Sequence, residues 1–416
     1  MVEGSEGNTS TRRFRHVNML GSVKSMNLIT RDIEKVRSLF FHPSSFIPQD
    51  LFTSLKAVRS LKLSNCGLLE LPQEIGDLIH IRLLDVSKNQ FTELPESICN
   101  LHYLQSLYVD ECEKLGQLPQ RFGDLVHLRH LYMDETNQLK KMPQEIEKLT
   151  SLRTLGKFIV DDDEPANNIV KLKKLNHLES LNMHVHRDVD FENAELGDKI
   201  YLDWLKLVFE GEGFDSGNKS LLETMEPPPN LKELFIFNYP AIHLPKWILA
   251  QTLVNNLKYL HLCGAHSVSS LPSLWKFQSL QVLTLEFLLN LKCFGREFYG
   301  LPNDFQPKVF RKDGVANVVA FPSLKSLTLR QLSLETWEDI SEEDDEKLSI
   351  SIMPRLQNLG VQSCNKLNSL PHRIVGKASS LKWLHIHTCK TLEERYSKNT
   401  KEDWRKLSPA PAVRIL

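Results

Sequence analysis

This 416-residue chain contains no run near the roughly 18 consecutive apolar residues that a membrane-spanning helix requires. It has no GxxxxGK[ST], so nothing in it builds the backbone cradle of a phosphate-binding loop. HExxH, GxSxG and GxGxxG are also missing, which leaves metalloprotease, hydrolase and dinucleotide chemistry without an anchor. Cysteine is scarce. Cys66, Cys99, Cys112, Cys263, Cys293, Cys364 and Cys389 make an odd set without a CxxC pair, against a disulfide framework and against a zinc motif. His385 and His387 share a strand face but have no third ligand in the pattern, so no metal site is expected. The net charge of -1 sets up no global field to gather nucleic acid or an anionic membrane, so neither is an expected partner. The opening segment, MVEGSEGNTSTRRFRH, lacks the apolar core of a secretory signal. A cytoplasmic, reducing setting is therefore expected, with the cysteines as structural thiols. These gaps leave no enzyme to argue for.

What the chain does have is repetition. Between Leu69 and Met133 one pattern is written nearly three times: an apolar-Pro pair (Leu71-Pro72, Leu94-Pro95, Leu118-Pro119), a short amphipathic run (QEIGDL, ESICNL, QRFGDL) and a block of the form LxxLxL. Blocks of this form begin at Val36, Val58, Ile81, Leu104, Leu128 and Leu152, spaced 22, 23, 23, 24 and 24 residues apart. Further blocks begin at Leu178, Leu202, Leu231, Leu257, Leu280, Leu324, Leu356 and Leu381, spaced from 23 to 44. A period in the twenties with Asn or Cys shortly after the third apolar position is the signature of a leucine-rich repeat. Cys66, Cys112, Cys364 and Cys389 fall at that slot.

One such block buries too little alone, so it must stack on its neighbours. In Leu104-Gln-Ser-Leu107-Tyr-Val109, Leu107 and Val109 point to one face of a short strand, and Leu104 enters the same core from the preceding bend. The expected fold is an α/β leucine-rich-repeat solenoid, a curved horseshoe with a parallel sheet on the concave face and short helical or irregular segments on the convex face. Residues 1–12 are expected to be disordered, 13–407 to form about 14 repeats, and 408–416 to be a C-terminal tail. Phe14 to Leu20 has the spacing of an N-terminal cap strand. The two longest spacings imply loop insertions near 295–319 and 338–350, the second carrying the acidic run Ser341 to Glu346. Asp161-Asp-Asp-Glu164 reads as an acidic loop, because the phosphate-binding loop it would have to serve is missing.

Functional content is expected on the solvent side of the strands. The alternating positions there are Tyr108 and Asp110; His130, Tyr132 and Asp134; Trp204 and Lys206; Phe235 and Phe237; Tyr259 and His261; Thr284 and Glu286; Thr328 and Arg330; and Trp383, His385 and His387. Tyr and Trp are side chains that binding hot spots favour, so this row is the candidate protein-binding face.

The LPxxIxxLxxLxxLxL repeats resemble the leucine-rich-repeat region of plant intracellular disease resistance proteins of the nucleotide-binding, coiled-coil class. Arg12-Arg-Phe-Arg-His16 is similar to the segment that opens those repeats, and Lys401-Glu-Asp-Trp404-Arg-Lys-Leu407 to the stretch that closes them. Leu155-Gly-Lys-Phe-Ile-Val160 with Lys171 to Leu178 resembles the family's mid-region pattern. The resemblance implies recognition of a pathogen effector or a guarded host protein, and an autoinhibitory contact with a nucleotide-binding module. The coiled-coil and nucleotide-binding parts of that family have no counterpart in these residues, so no cofactor is expected here. A nucleotide-binding module in a longer product would be the part that holds ADP or ATP. A competing reading is a cytosolic scaffold or substrate-recruiting adaptor in signalling or ubiquitination.

Overall fold

A computed structural model describes residues 15–19, 33–48, 50–160, 168–187, 189–213, 222–301, 316–342, 348–396 and 413–415. Residues 1–12, the acidic run 161–164, the closing signature 401–407 and the middles of both insertions (302–315 and 343–347) lie outside them. The chain falls into two compact units, Met1–His184 and Val185–Leu416.

The first unit contains β1 (His16–Met19), β2 (Ser38–Phe41), β3 (Ser60–Lys62), β4 (Leu83–Asp85), β5 (Ser106–Tyr108), β6 (His130–Tyr132) and β7 (Thr154–Val160), with β8 (Ser180–Arg187) at its boundary. Strand order follows chain order, and the pairs with a described register are parallel. From β2 onward each strand starts two residues after the apolar position that opens its repeat. Parallel neighbours need a crossover, and here the crossover is the rest of the repeat. Leu61, Leu84, Leu107, Leu131 and Leu155 are successive register partners, all with no exposed surface. Translation of one pattern thus makes a continuous apolar column.

Five residues past the start of most strands, the backbone turns through the left-handed region, as at Lys88 (φ 58°), Glu111 (φ 56°), Glu135 (φ 57°) and Gly264 (φ 71°). This turn leads the chain off the sheet. The next position is the Asn/Cys slot. Cys66, Asn89, Cys112 and Thr136 occupy it in the first unit, Cys66 half-buried and the other three fully buried. Their side chains answer backbone groups that the departing strand leaves open, Thr136 Oγ1 donating to Met133 O at 2.7 Å and Cys112 Sγ to Val86 O at 3.4 Å.

On the other side of the core, the amphipathic runs form 3₁₀ turns at Gln73–Asp77, Glu96–Asn100 and Gln120–Asp124. Their buried Ile75, Ile98 and Phe122 seal the repeats. The turns stack so closely that a Cβ on Gly123 would stand 2.7 Å from Glu145 Cβ and 2.8 Å from Glu145 O. Gly123→Ala is therefore expected to destabilise the first unit by about 1–3 kcal/mol, the usual range for overpacking. Gly116→Ala, whose added Cβ would meet only Thr92 O at 3.9 Å, is the control. Urea titrations that leave the two variants equally stable would refute this account of the stacking.

The second unit continues with β9 (Trp204–Gly213), β10 (Glu233–Phe237), β11 (Tyr259–Cys263), β12 (Val282–Glu286), β13 (Cys293–Phe294), β14 (Ala316–Ala320), β15 (Ser326–Arg330), β16 (Thr336–Trp337), β17 (Leu348–Ile352), β18 (Asn358–Gln362), β19 (Trp383–His387) and β20 (Val413–Ile415). Its main sheet runs β9-β10-β11-β12-β15-β18-β19-β20, every described pair parallel. The 408–416 segment, read as a tail, supplies β20, whose Val413 to Ile415 pair with Leu384 to Ile386.

The two insertions, expected as loops, end in strands, β14 and β17, while the first opens on a 3₁₀ turn at Arg296–Tyr299. β14 pairs with β17, so the ends of the insertions edge each other, and β13 pairs with β16 just ahead of them. The reason is the stacking of the repeats: ANVVA and LSISI each run into a buried residue, Phe321 or Met353, that leads into the next repeat start, so the two segments lie side by side. An aromatic cluster fills the space beneath. Phe294 stacks on Phe298 at 4.4 Å, Trp337 meets Phe294 edge-on at 5.6 Å, and buried Tyr299 donates its hydroxyl to Glu338 O at 3.2 Å.

Candidate protein-binding face

Alternation along each strand decides which side chains meet solvent. In β5 and β6 the central Leu107 and Leu131 are buried while the flanking residues are half-exposed. β10 and β11 alternate in the same way, with Leu234, Ile236, Leu260 and Leu262 inside. Tyr108, His130, Tyr132, Trp204, Lys206, Phe235, Phe237, Tyr259, His261, Glu286, Arg330, Trp383, His385 and His387 all stand off the core, on the open face of the sheet. Asp110 and Asp134 follow at the strand ends. Thr284, grouped with them by position, is buried and offers little surface.

In the first unit the register sets Tyr108 against Tyr132, and their rings stack at 4.4 Å with planes 11° apart. His130 lies over Tyr132 at 6.3 Å, and its Nδ1 is 3.0 Å from Thr154 Oγ1. Beside this ladder stand three carboxylates, Asp85, Asp110 and Asp134. The Asp134 N–H donates to Asp110 Oδ1 at 2.9 Å, and Asn182 Nδ2 donates to Asp134 Oδ1 at 3.0 Å. Burial raises the Asp110 carboxyl to about 6, and the charges of Asp134 and Asp85 push the same way.

This shift sets a pH dependence. The folded pKa is raised, so between the ordinary aspartate value of about 4 and about 6 the folded state holds more proton than the unfolded one. Stability from this group is present at the acid end and lost as pH rises through about 6. Asp110→Asn is expected to melt higher than the parent protein near neutrality, the gap closing on acidification across that window. Melting curves of the two proteins at a series of pH values check this. A gap that stays constant with pH would contradict it.

In the second unit Trp204, Phe235 and Tyr259 form a longer ladder, with centroids 5.2 and 4.9 Å apart. Lys206 Nζ sits 5.3 Å from the Phe237 ring centre, and Phe237 meets His261 edge-on at 5.1 Å. His261 Nε2 then faces Glu286 Oε2 at 3.7 Å, beyond hydrogen-bond reach. Arg330 Nη1 is 3.7 Å from the other oxygen of Glu286, and Arg330 Nε donates to Gln362 Oε1 at 3.1 Å. Burial lowers the His261 pKa against the pull of Glu286, which favours neutral imidazole. On β19, Trp383 stacks on His385 at 6.0 Å, with His387 exposed beside them.

Sequence spacing therefore separated solvent-side from core-side residues in most strands but did not give their groupings. It also passed over Asp85, Cys263 and Gln362, which share the face with the named residues. The HLC alternation in β11 contained the signal for Cys263, since a cysteine two residues past His261 must share its side of the strand.

Among the described residues no helix is long and apolar enough to cross a membrane. The leucine-rich repeat region family matches residues 35–366. A disease resistance protein of Arabidopsis thaliana is 36% identical over 333 residues, 76% of this chain and 22% of its own length. Disease resistance protein RGA2 of Solanum bulbocastanum is 31% identical over 405 residues, 93% of this chain and 40% of its own. The chain spans two fifths or less of the length of these relatives. Among solved structures, a leucine-rich repeat protein of Leptospira interrogans superposes with a TM-score of 0.55 at 20% identity, covering 92% of this chain and 91% of its own. An internalin of Listeria monocytogenes gives 0.52 at 13% identity, covering 93% and 89%. At those identities the likeness is one of fold alone.

Proposed function

This chain belongs to the leucine-rich repeat region family, and on that premise we propose that it is the protein-recognition part of a plant disease-resistance receptor. Its partner on the open face is a pathogen effector or a guarded host protein, and a second contact holds a nucleotide-binding module closed. The module, in cis or in trans, carries the ADP or ATP. The repeats themselves are non-catalytic, bind no cofactor for this role and act in the cytoplasm.

The observation that carries this reading is the ladder of Trp204, Phe235 and Tyr259. These rings sit on regular strands and are half-exposed, yet each is held by its neighbour. Such side chains are already ordered, so a partner that covers them loses little further rotamer freedom. Truncating one hot-spot aromatic costs about 2 kcal/mol or more, roughly a thirtyfold loss of affinity. Phe235→Ala and Trp204→Ala are expected to weaken binding to a cognate effector or nucleotide-binding module by at least about that factor. Tyr103→Ala, an exposed residue outside the strands, should leave it unchanged. Isothermal titration with candidate partners reads the difference. Equal affinities for all three variants would remove the open face from the account.

A further inference from the structure

We propose that His261, Cys263 and Glu286 form a binding site for one divalent transition-metal ion of the zinc class, with a fourth position open to water or to a partner's side chain. The three donor atoms lie within 4.8 Å of one another. Backbone geometry brings them together. His261 and Cys263 are two residues apart in β11, so they share a face, and Cys263 is the register partner of Glu286 in β12.

An ion bound at about 2.0–2.3 Å needs the donors drawn inward by side-chain rotation, with the paired strands unmoved. Imidazole, thiolate and carboxylate are all zinc ligands, and three of them with an open place match the unsaturated type of zinc site. Calcium and magnesium want an oxygen cage, which a thiol and an imidazole do not supply.

Two further observations point the same way. His261 Nε2 is buried and makes no hydrogen bond. The acceptor it faces, Glu286 Oε2, stands 3.7 Å away, so the ring nitrogen is under-satisfied, and a metal ion between the two would serve both. The carboxylate is also oriented: Arg330 faces Oε1, leaving Oε2 toward His261. Gln362 in turn fixes Arg330, giving the outer support that ligating side chains usually have. Within the ligand set, neutral imidazole, thiolate and carboxylate sum to two negative charges against the ion's two positive ones, with the Arg330 cation outside it, shared with Gln362. Binding converts Cys263–SH and M²⁺ into Cys263–S–M⁺ and releases one proton to solvent.

The test is a titration of the full chain, stripped with chelator and kept reduced, with Co²⁺ and then with competing Zn²⁺. A thiolate-to-cobalt charge-transfer absorption should appear, saturate at one ion per chain and bleach as zinc replaces cobalt. Cys263→Ser should abolish it. Glu286→Gln should weaken binding by at least about tenfold, the lower bound for losing even an outer-shell partner. Cys293→Ser, at an exposed cysteine outside the cluster, should leave the band intact. Far-ultraviolet circular dichroism establishes that each variant is folded, and Glu286→Gln carries the test should Cys263→Ser fail to fold. The absence of the band, its survival in folded Cys263→Ser, or undiminished affinity in Glu286→Gln would overturn the site.

Discussion

Leu107→Asp is expected to prevent the first unit from folding. Leu107 has no exposed surface, and its register partners Leu84 and Leu131 have none either. Removing the leucine forfeits about 1.5–3 kcal/mol of burial. Leaving a buried charge uncompensated costs about 3–5 kcal/mol more. The sum of about 5–8 kcal/mol is comparable with the whole stability of an ordinary domain. Protonation of the new carboxyl would soften the blow without supplying a hydrogen-bond partner in an apolar column. Ser106→Asp, one residue earlier on the half-exposed side of the same strand, is the matched control and should cost well under half as much. Circular dichroism and limited proteolysis read the contrast. A cooperative, protease-resistant Leu107→Asp protein would refute the stacked-column account of the core.

Asn89→Leu should be the next most damaging change, for the opposite reason. Asn89 is fully buried and serves only backbone. Its Oδ1 accepts from Cys66 N at 3.1 Å and from Leu68 N at 3.0 Å. Its Nδ2 points at Val86 O (2.8 Å), Leu63 O (2.9 Å) and Ser87 O (3.1 Å). Leucine fits the size and strands both amide donors, at about 1–3 kcal/mol each, so a loss of about 2–6 kcal/mol is expected. Ser87 O would keep the Asn65 N–H and Val86 O the Cys112 thiol, which limits the damage on the acceptor side.

Asn89→Cys should fall between the parent and Asn89→Leu, because the fold already uses cysteine at this slot. Cys389 Sγ accepts from Cys364 N at 3.3 Å, the same service to the preceding repeat that Asn89 gives Cys66. Denaturant titrations of the three proteins give the order, and amide exchange at Cys66 and Leu68 locates the effect. An Asn89→Leu protein as stable as its parent would show that the slot is not a hydrogen-bonding site.

Much of the fold was legible because a solenoid is one-dimensional. The apolar spacing in LxxLxL names the buried residues of each strand, and the period names where the next strand starts; both are local quantities. The Asn/Cys slot was legible for the same reason. The insertions were less so: the two longest spacings and the acidic run suggested loops, whereas β14 and β17 pair across more than twenty residues of intervening chain. Nothing local announces such a partner.

The aromatic row was legible as a row and not as ladders. Whether Tyr108 stacks on Tyr132, or Phe235 on Tyr259, depends on strand register between repeats whose lengths differ. The grouping of His261, Cys263 and Glu286 is the clearest case. The scarcity of cysteine and the lack of CxxC argued against a zinc site, because such motifs gather ligands along the chain. A parallel sheet gathers them across it. Sequence alone determined this protein's period, its buried column and the side of each strand that meets solvent, since alternation and repeat length are properties of neighbouring residues. Only the tertiary structure decided which solvent-facing side chains touch, because Cys263 meets Glu286 through the hydrogen-bonded register of two strands, and that register is set by how whole repeats pack.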